Sequence, residues 1–390
     1  MPPFEFAPFE FATATRIRFG VGTRQELPAA AASMGKRALL VTGSAANRAA
    51  SLVDSLEAAG LTTVPLTVSG EPTVSLIREA VARARREGCD VVVAIGGGSV
   101  LDAGKAVAAL LAHSGDALDY LEIIGGGQPL TQPSAPMIAV PTTAGTGSEV
   151  TRNAVLASPE HQVKASLRSP GMLPRLALVD PELTLSLPRK ISASTGLDAL
   201  TQLIEPYVSR RANPMTDLFC VDGMRHAARA LPRVWKRPDD LEARTDMAWA
   251  SLLGGLALAN AGLGAVHGFA APLGGMFPTP HGAACAAVLP YAMDANIRAL
   301  RQRAPESEAL LRYAEVARLL TRDPHATAED GVQWVAQICT TLEIPPLRVY
   351  GVEEPAIPAL VERAARAGSM QGNPIVLTPE ELREIVARAI

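Results

Sequence analysis

Residues 90–105 read DVVVAIGGGSVLDAGK, in which an apolar run passes through three glycines into a helical pattern. Glycines 96–98 have no Cβ, so backbone amides can approach a phosphate there, and a helix N-terminus adds unpaired N–H groups. Ser99 is predicted to cap that helix and to donate to phosphate. A tight strand–helix turn without a ligand explains the same residues, because neither GxGxxG nor GxxxxGK[ST] is present.

A second loop of this kind strengthens the interpretation of a binding site. Residues 140–149, VPTTAGTGSE, follow the apolar run 137–140 and are rich in hydroxyls and glycines. Open α/β sheets bind ligands where the carboxyl ends of neighbouring strands meet. Two such loops at adjacent strand ends therefore predict a polar cleft.

The pattern around these loops predicts two domains. Short apolar runs at 15–20, 37–43, 62–68 and 90–95 alternate with helical stretches that end near 59, span 74–86 and begin near 99. This alternation is typical of a parallel sheet covered on both faces. From about Pro188 the chain is Ala- and Leu-rich with helical periodicity and no strand pattern. We therefore expect an α/β nucleotide-binding domain at 1–185 and an all-α domain at 186–390.

Composition narrows the classes of function. The chain has 390 residues, 48% of them hydrophobic and 19% charged, with a formal net charge of −3. A large core is feasible, and no basic stripe indicates nucleic acid as a partner. The four cysteines have no metal-finger spacing, the N-terminus has no leader pattern, and no apolar run approaches the roughly 20 residues of a membrane helix. We expect a cytoplasmic protein that does not bind membranes.

A candidate metal site lies in the helical half. His267 and His281 bracket a Gly- and Pro-rich segment, and Asp198 and Gln202 lie four residues apart on one helix face, with Glu205 close by. A carboxylate, an amide oxygen and two imidazoles form a mixed site suited to iron(II) or zinc(II). An alternative without a metal explains the same residues: both histidines are structural, and Asp198 caps a helix or forms an ion pair.

Five motifs together resemble the iron-containing (group III) alcohol dehydrogenase family. In chain order they are GGGSVLDAGKAVA, PTTAGTGSEVTRNAV, LVDPELTLSLP, TGLDALTQLIEPYVS and GLGAVHGFAAPLGGMFPTPHGAACAAVLP. The likeness runs from about residue 15 to Leu382. It implies a dehydroquinate synthase-like architecture with the active site between the domains. It also implies hydride transfer between NAD(P)(H) and a small alcohol or carbonyl compound, in a homodimer.

The resemblance also assigns residues. It places on the cofactor Gly43, Ser44, Gly97, Gly98, Ser99, Asp102, Thr142, Thr143, Thr146, Lys164 and Leu183. The family's metal ligands fall on Asp198, Gln202, His267 and His281. Of these, Asp198, His267 and His281 are the predicted catalytic residues.

Three departures from the family pattern bear on function. Gln202 stands where the family usually has histidine, and Ala271 stands where many members have a further histidine. Gly43-Ser44, with Arg48 beyond, replaces the carboxylate that hydrogen-bonds the ribose in NAD-preferring members, which favours NADP over NAD. The change at 202 also fits a metal-free enzyme resembling maleylacetate reductases. A glycerol dehydrogenase-like enzyme, or a degraded nucleotide-binding sensor or scaffold, are further alternatives.

Overall fold

The computed structural model describes residues 8–44, 46–161 and 163–390, without the side chains of 46–50 and 52. An N-terminal α/β domain is followed by an all-helical domain, as the sequence predicts. In the described residues, eight strands form the sheets: β1 (Ile17–Phe19), β2 (Arg37–Gly43), β3 (Thr62–Val68), β4 (Val91–Gly96), β5 (Met137–Pro141), β6 (Asn153–Ser158), β7 (Val163–Arg168) and β8 (Leu176–Val179). The helices of this domain are α1 (Leu27–Ala32), α2 (Ala46–Ala58), α3 (Val74–Arg86), α4 (Gly98–Leu111) and α5 (Ala117–Tyr120).

Six strands form one parallel sheet in the order β1-β8-β5-β4-β2-β3. Every residue of β4 and β5 is buried, because helices cover both faces of the sheet. Alternate residues of β2 enter different cores: Leu39 packs on the side of α3 and α4, whereas Leu40 packs on the side of α1. The carboxyl ends of all six strands therefore meet at one edge.

An antiparallel hairpin and one sheet strand were not predicted. The hairpin pairs β6 with β7, and β8 lies between β1 and β5. Residues of β6 alternate between buried and half-buried, and β8 has only four residues, LALV. Strands this short are fixed by pairing with distant segments, which local periodicity does not reveal.

The second domain is built from nine helices, and residues 180–390, all of them described, contain no strand. The central helix α6 is buried by its neighbours at every residue from Gly196 to Val208. The helices are α6 (Arg189–Val208), α7 (Pro214–Lys236), α8 (Leu241–Ala261), α9 (Ala265–Met276), α10 (His281–Arg303), α11 (Glu308–Thr321), α12 (Ala328–Thr341), α13 (Ile357–Arg366) and α14 (Pro379–Ala389). No single helix in the described ranges is long and apolar enough to cross a bilayer. Helices α8 and α9 reach the necessary length and apolarity only as a pair, and the chain bends by 98° between them.

The domains meet at the loop that follows β5, residues 142–148, called here the threonine loop. Gly147 has a φ of +59°, and a Cβ on it would lie 2.4 Å from the Cα of Gly255 in α8. A Cβ on Gly145 would lie 2.6 Å from the Cβ of Thr195 in α6. Only glycine allows backbones this close, so these positions bring the sheet's ligand-binding edge against the helical domain.

Candidate active site

The residues between β4 and α4 form an open helix N-terminus. Gly97 is the N-cap of α4, and no side chain caps the helix. The prediction that Ser99 caps it is therefore wrong: the helix begins at Gly98, which places Ser99 inside the first turn. Residues 97–99 are half-buried, whereas the adjoining strand is fully buried. The first N–H groups of α4 are thus available to an anion, the usual place for a phosphate.

The threonine loop lies directly beside these glycines. Gly96 of β4 pairs in register with Pro141 of β5. A Cβ on Gly98 would lie 2.7 Å from Cγ2 of Thr146, and one on Gly97 would lie 3.2 Å from Cγ2 of Thr143. The two polar loops are therefore neighbours, as the sequence predicts, and Thr142, Thr143 and Thr146 are half-buried at the edge of the cleft.

Asp102 ties α4 to the elements around it. Its carboxylate accepts hydrogen bonds from the Ser148 hydroxyl at 2.6 Å and from the Val155 N–H at 2.9 Å. The Lys105 ammonium lies 3.1 Å from the same carboxylate and donates to Thr151 at 2.9 Å. Burial lowers the pKa of Lys105. In this structure Asp102 positions the threonine loop and the hairpin, while its predicted contact with a cofactor stays a prediction.

Other predicted cofactor residues lie around the same edge. Gly43 ends β2, and a Cβ there would lie 3.8 Å from Val100 at the start of α4; exposed Ser44 follows it. The Arg48 side chain lies outside the described residues. Leu183 is half-buried against the sheet.

Lys164 reaches across the cleft from the hairpin. Its side chain is 9% exposed, and its ammonium lies 3.0 Å from a carboxylate oxygen of Glu71. A Cβ on Gly274 of α9 would lie 2.6 Å from that same Nζ. Lys164 therefore contacts the helical domain as well as its own, at the mouth of the cleft.

The helical domain holds a buried cluster of potential metal ligands, formed by Asp198, His267, His281 and Cys285. One ligand atom from each lies within 4.8 Å of all the others. Oδ1 of Asp198 is 3.3 Å from Nε2 of His267 and 3.8 Å from Nε2 of His281. The structure thus brings together three of the four predicted ligands from α6, α9 and α10.

Two features of the cluster differ from what the sequence indicated. Cys285 is not among the predicted ligands, because the cysteines lack metal-finger spacing, yet it lies four residues after His281 on α10, which places both side chains on one helix face. Its Sγ lies 3.8 Å from Nε2 of His267 and 3.7 Å from Nε2 of His281. The fourth predicted ligand, Gln202, is 2% exposed, and its Oε1 has no hydrogen-bond partner.

The ionisable groups of the cluster shift one another's pKa values. Burial alone would raise the pKa of Asp198, but the imidazoles of His281 and His267 outweigh it and hold that pKa below its ordinary value. Burial alone would lower the pKa of His281, but Cys285 and Asp198 outweigh it and raise the pKa to about 9. Without a cation, protons therefore supply the positive charge next to Asp198. A divalent cation can replace them.

Glu205 holds His267 in place. Its Oε2 lies 2.6 Å from Nδ1 of His267, and its Oε1 accepts a hydrogen bond of 2.7 Å from the Val266 N–H. A proton on Nδ1 shared with this carboxylate leaves Nε2, on the Asp198 side, as the nitrogen that can bind a metal when it gives up its own proton. Glu205 was noticed in the sequence only as a nearby residue, one helical turn beyond Gln202.

The cluster opens to solvent on one side. The side chain of His281 is 39% exposed, whereas Asp198 is 1% and His267 5% exposed. Ala271 lies one turn beyond His267 on α9 and is exposed. A small molecule can therefore approach the cluster from the His281 and Ala271 side.

A parallel-sheet domain with an uncapped helix N-terminus, joined to a helical domain with a carboxylate–imidazole cluster, is typical of a two-domain nucleotide-dependent oxidoreductase. Comparison with known families supports this class. Residues 14–181 match the model of iron-containing alcohol dehydrogenase, and residues 192–390 match the model of the C-terminal part of the same family. The chain belongs to the iron-containing alcohol dehydrogenase family. It is accordingly an alcohol oxidoreductase that uses a nicotinamide adenine dinucleotide.

Individual relatives span nearly the whole chain. The 1,3-propanediol dehydrogenase of Klebsiella pneumoniae is 38% identical over 323 residues, covering 83% of this chain and 81% of the relative. The choline dehydrogenase of Bacillus subtilis (strain 168) is 34% identical, covering 95% and 92%. A crystal structure of 1,3-propanediol oxidoreductase superposes with a TM-score of 0.91 at 34% identity, covering 98% of this chain and 100% of that one. Sulfoacetaldehyde reductase from Bifidobacterium kashiwanohense, in complex with NAD+, has a TM-score of 0.86 at 30% identity, covering 98% and 99%.

Replacing Glu205 tests its role in orienting His267. Glu205→Gln removes the negative charge behind the imidazole, so we expect divalent-metal affinity to fall by about 10- to 100-fold. Competition with a chromogenic chelator measures this affinity. Glu315→Gln is the matched control, because Glu315 also contacts α6, through the hydroxyl of Tyr207. Equal affinity in Glu205→Gln and the wild type would remove the positioning role.

Proposed function

We propose that this protein is a metal-dependent alcohol dehydrogenase in which Asp198, Gln202, His267 and His281 hold a divalent cation, iron(II) or zinc(II). The observation that carries the proposal is the state of Asp198. Its Oδ1 is buried without a hydrogen-bond partner, and its neighbours at 3.3 and 3.8 Å are the Nε2 atoms of His267 and His281, whose protons a divalent cation can replace. A buried carboxylate needs positive charge beside it, so the convergence of this oxygen with two imidazole nitrogens indicates a cation site.

The residues fit a cation in their chemistry as well. The Oε1 atom of Gln202, one turn beyond Asp198, is a second buried oxygen without a partner. Imidazole nitrogen and carboxylate oxygen are donors that iron(II) and zinc(II) both accept. When bound, the cation supplies Lewis acidity, which stabilises negative charge on the oxygen of the substrate.

Residues of the chain itself supply charge to the cation site, orient a ligand and leave an opening for the substrate. Asp198 supplies negative charge to the site, and Glu205 fixes His267 through Nδ1. The exposed His281 edge admits the substrate, and the threonine loop packs against α8 of the same domain as the cluster. The nicotinamide cofactor carries the hydride, so the protein's task is to hold it next to the substrate carbon.

The cofactor is proposed to lie along the carboxyl edge of the sheet. The uncapped start of α4, with Gly97, Gly98 and Ser99, supports a pyrophosphate site there. Thr142, Thr143 and Thr146 would line the same pocket, with Asp102, Lys164 and Leu183 as further contacts. At the end of β2, Gly43 and Ser44 offer no carboxylate to a ribose, so NADP(H) is proposed over NAD(H).

A small alcohol or aldehyde is the proposed substrate. Similar proteins are named for 1,3-propanediol, choline and sulfoacetaldehyde, all of them small polar molecules. Ala271 leaves space beside His267 where a larger side chain would stand, which favours a bulkier substrate. The missing imidazole at 271 also means that water or a ribose hydroxyl must carry the proton.

We also propose a domain boundary, a homodimeric state and a cytoplasmic location. The division into domains at 185/186 falls between the end of β8 and the start of α6. The family resemblance supports a homodimer. Four free cysteines fit the reducing conditions of the cytoplasm.

Metal removal tests the proposed function directly. We expect purified protein to contain close to one divalent metal ion per chain. It should reduce aldehydes with NADPH or NADH and lose this activity when a chelator removes the metal. His267→Ala should lower kcat by more than about 100-fold with cofactor affinity retained, because it removes a ligand. His325→Ala is the control, since His325 is exposed and outside the cluster.

Two results would contradict the metal-dependent reaction. Chelated, metal-free protein that still reduces a carbonyl would be a reductase resembling the maleylacetate reductases. Metal-replete protein that binds cofactor without turnover across a panel of aldehydes would favour a sensor or scaffold.

The preference for NADP can be reversed at Ser44. Ser44→Asp places a carboxylate where a 2′-phosphate would lie, so we expect the ratio of kcat/KM for NADPH to that for NADH to fall by about 10-fold or more. Ser44→Asn is the control, because it has nearly the same shape without the charge. An unchanged ratio in Ser44→Asp would place the adenine ribose elsewhere.

A further inference from the structure

We propose that the thiolate of Cys285 is a direct ligand of the cation and that it, rather than the neutral amide of Gln202, completes a tetrahedral set with Asp198, His267 and His281. This inference rests on the proposed function, since it requires that the cluster binds a metal.

The spacing of the four donor atoms supports the proposal. Donors around a tetrahedral zinc ion lie roughly 3.3–3.8 Å apart, given bond lengths of about 2.0–2.3 Å. Oδ1 of Asp198 is 3.3 and 3.8 Å from the two imidazole Nε2 atoms. Sγ of Cys285 is 3.8 and 3.7 Å from the same nitrogens. Four of the six donor pairs therefore already have the separation of ligands around one ion.

The surroundings of Cys285 distinguish it from the other cysteines, all of which lie in the described ranges. Its side chain is fully buried, yet its sulfur faces two ring nitrogens. Cys339, in contrast, donates its thiol to the carbonyl of Ala286 at 3.5 Å, and Cys220 is buried in the apolar core. A sulfur placed only for packing would not need two nitrogens as neighbours.

Charge balance also favours a thiolate. Among the sequence-predicted ligands only Asp198 is anionic, because the Gln202 amide and the imidazole lone pairs are neutral donors. Glu205 is engaged by His267 and Val266. A thiolate at 285 would supply the second negative charge that a divalent cation needs, and its proton would leave to solvent as the metal binds.

Sulfur changes which ion the site prefers. Thiolate donors favour zinc(II) and chemically similar ions over magnesium or manganese, which prefer oxygen. We therefore expect zinc(II) and cobalt(II) to bind tightly and magnesium to compete poorly.

Cobalt(II) provides the test, because its absorption spectrum reports a sulfur ligand without any measurement of turnover. The full-length protein is freed of metal with a chelator and titrated with cobalt(II). We expect visible d–d bands from the bound ion and an intense near-ultraviolet band from sulfur-to-cobalt charge transfer. Cys285→Ala should lose the charge-transfer band, keep d–d absorption and bind cobalt about 10-fold or more weakly. Cys89→Ala, at the half-buried cysteine of the other domain, should retain both bands.

Cys285→Ser covers the case in which Cys285→Ala does not fold, because serine nearly keeps the size of this fully buried side chain while removing the sulfur. It should bind cobalt without the charge-transfer band. Wild-type protein that shows d–d bands but no charge-transfer band, or a band that survives in Cys285→Ala, would overturn the role of Cys285 and leave the metal site standing. Wild-type protein that binds no cobalt at all would overturn the proposed metal site as well.

Discussion

The close packing of Gly147 against Gly255 holds the cofactor-binding edge of the sheet against the helical domain that contains the metal-ligand cluster. A Cβ on either residue would meet backbone atoms of the other at 2.4–2.7 Å. The threonine loop can therefore lie on α8 while its threonines face the glycines at the start of α4. The cofactor edge of the sheet and the buried cluster are both fixed relative to this contact, so the chemistry between them depends on it.

Electrostatics gives the second constraint, and it acts through a chain of buried groups. Glu205 orients His267, which in turn lies next to Asp198, and the remaining lone pairs converge on one point. Such an arrangement needs positive charge beside the buried carboxylate, which protonated imidazoles or a divalent cation can supply. Under the proposed function, Asp198, His267 and Glu205 would supply most of the charge and geometry of the site without a histidine at position 202.

Sequence patterns predicted the parallel sheet, the helical half and the meeting of Asp198, His267 and His281, because long apolar periodicities and family motifs carry that information. They missed what depends on distant contacts. Strands β6 to β8 are short and are stabilised by pairing with other strands. Cys285 becomes a candidate ligand only when the packing of α6, α9 and α10 places it beside two imidazoles. Ser99 was expected as a helix cap, but the sequence does not determine at which glycine α4 begins.

Binding of a metal ion by the cluster in the helical domain is the property on which the proposed reaction depends. Anomalous X-ray diffraction from crystals of the purified protein, recorded on both sides of the absorption edge of the metal found by elemental analysis, tests this binding most directly. We expect one strong anomalous peak within coordination distance of Asp198, His267 and His281. Active protein whose crystals show no anomalous peak at the cluster would contradict it.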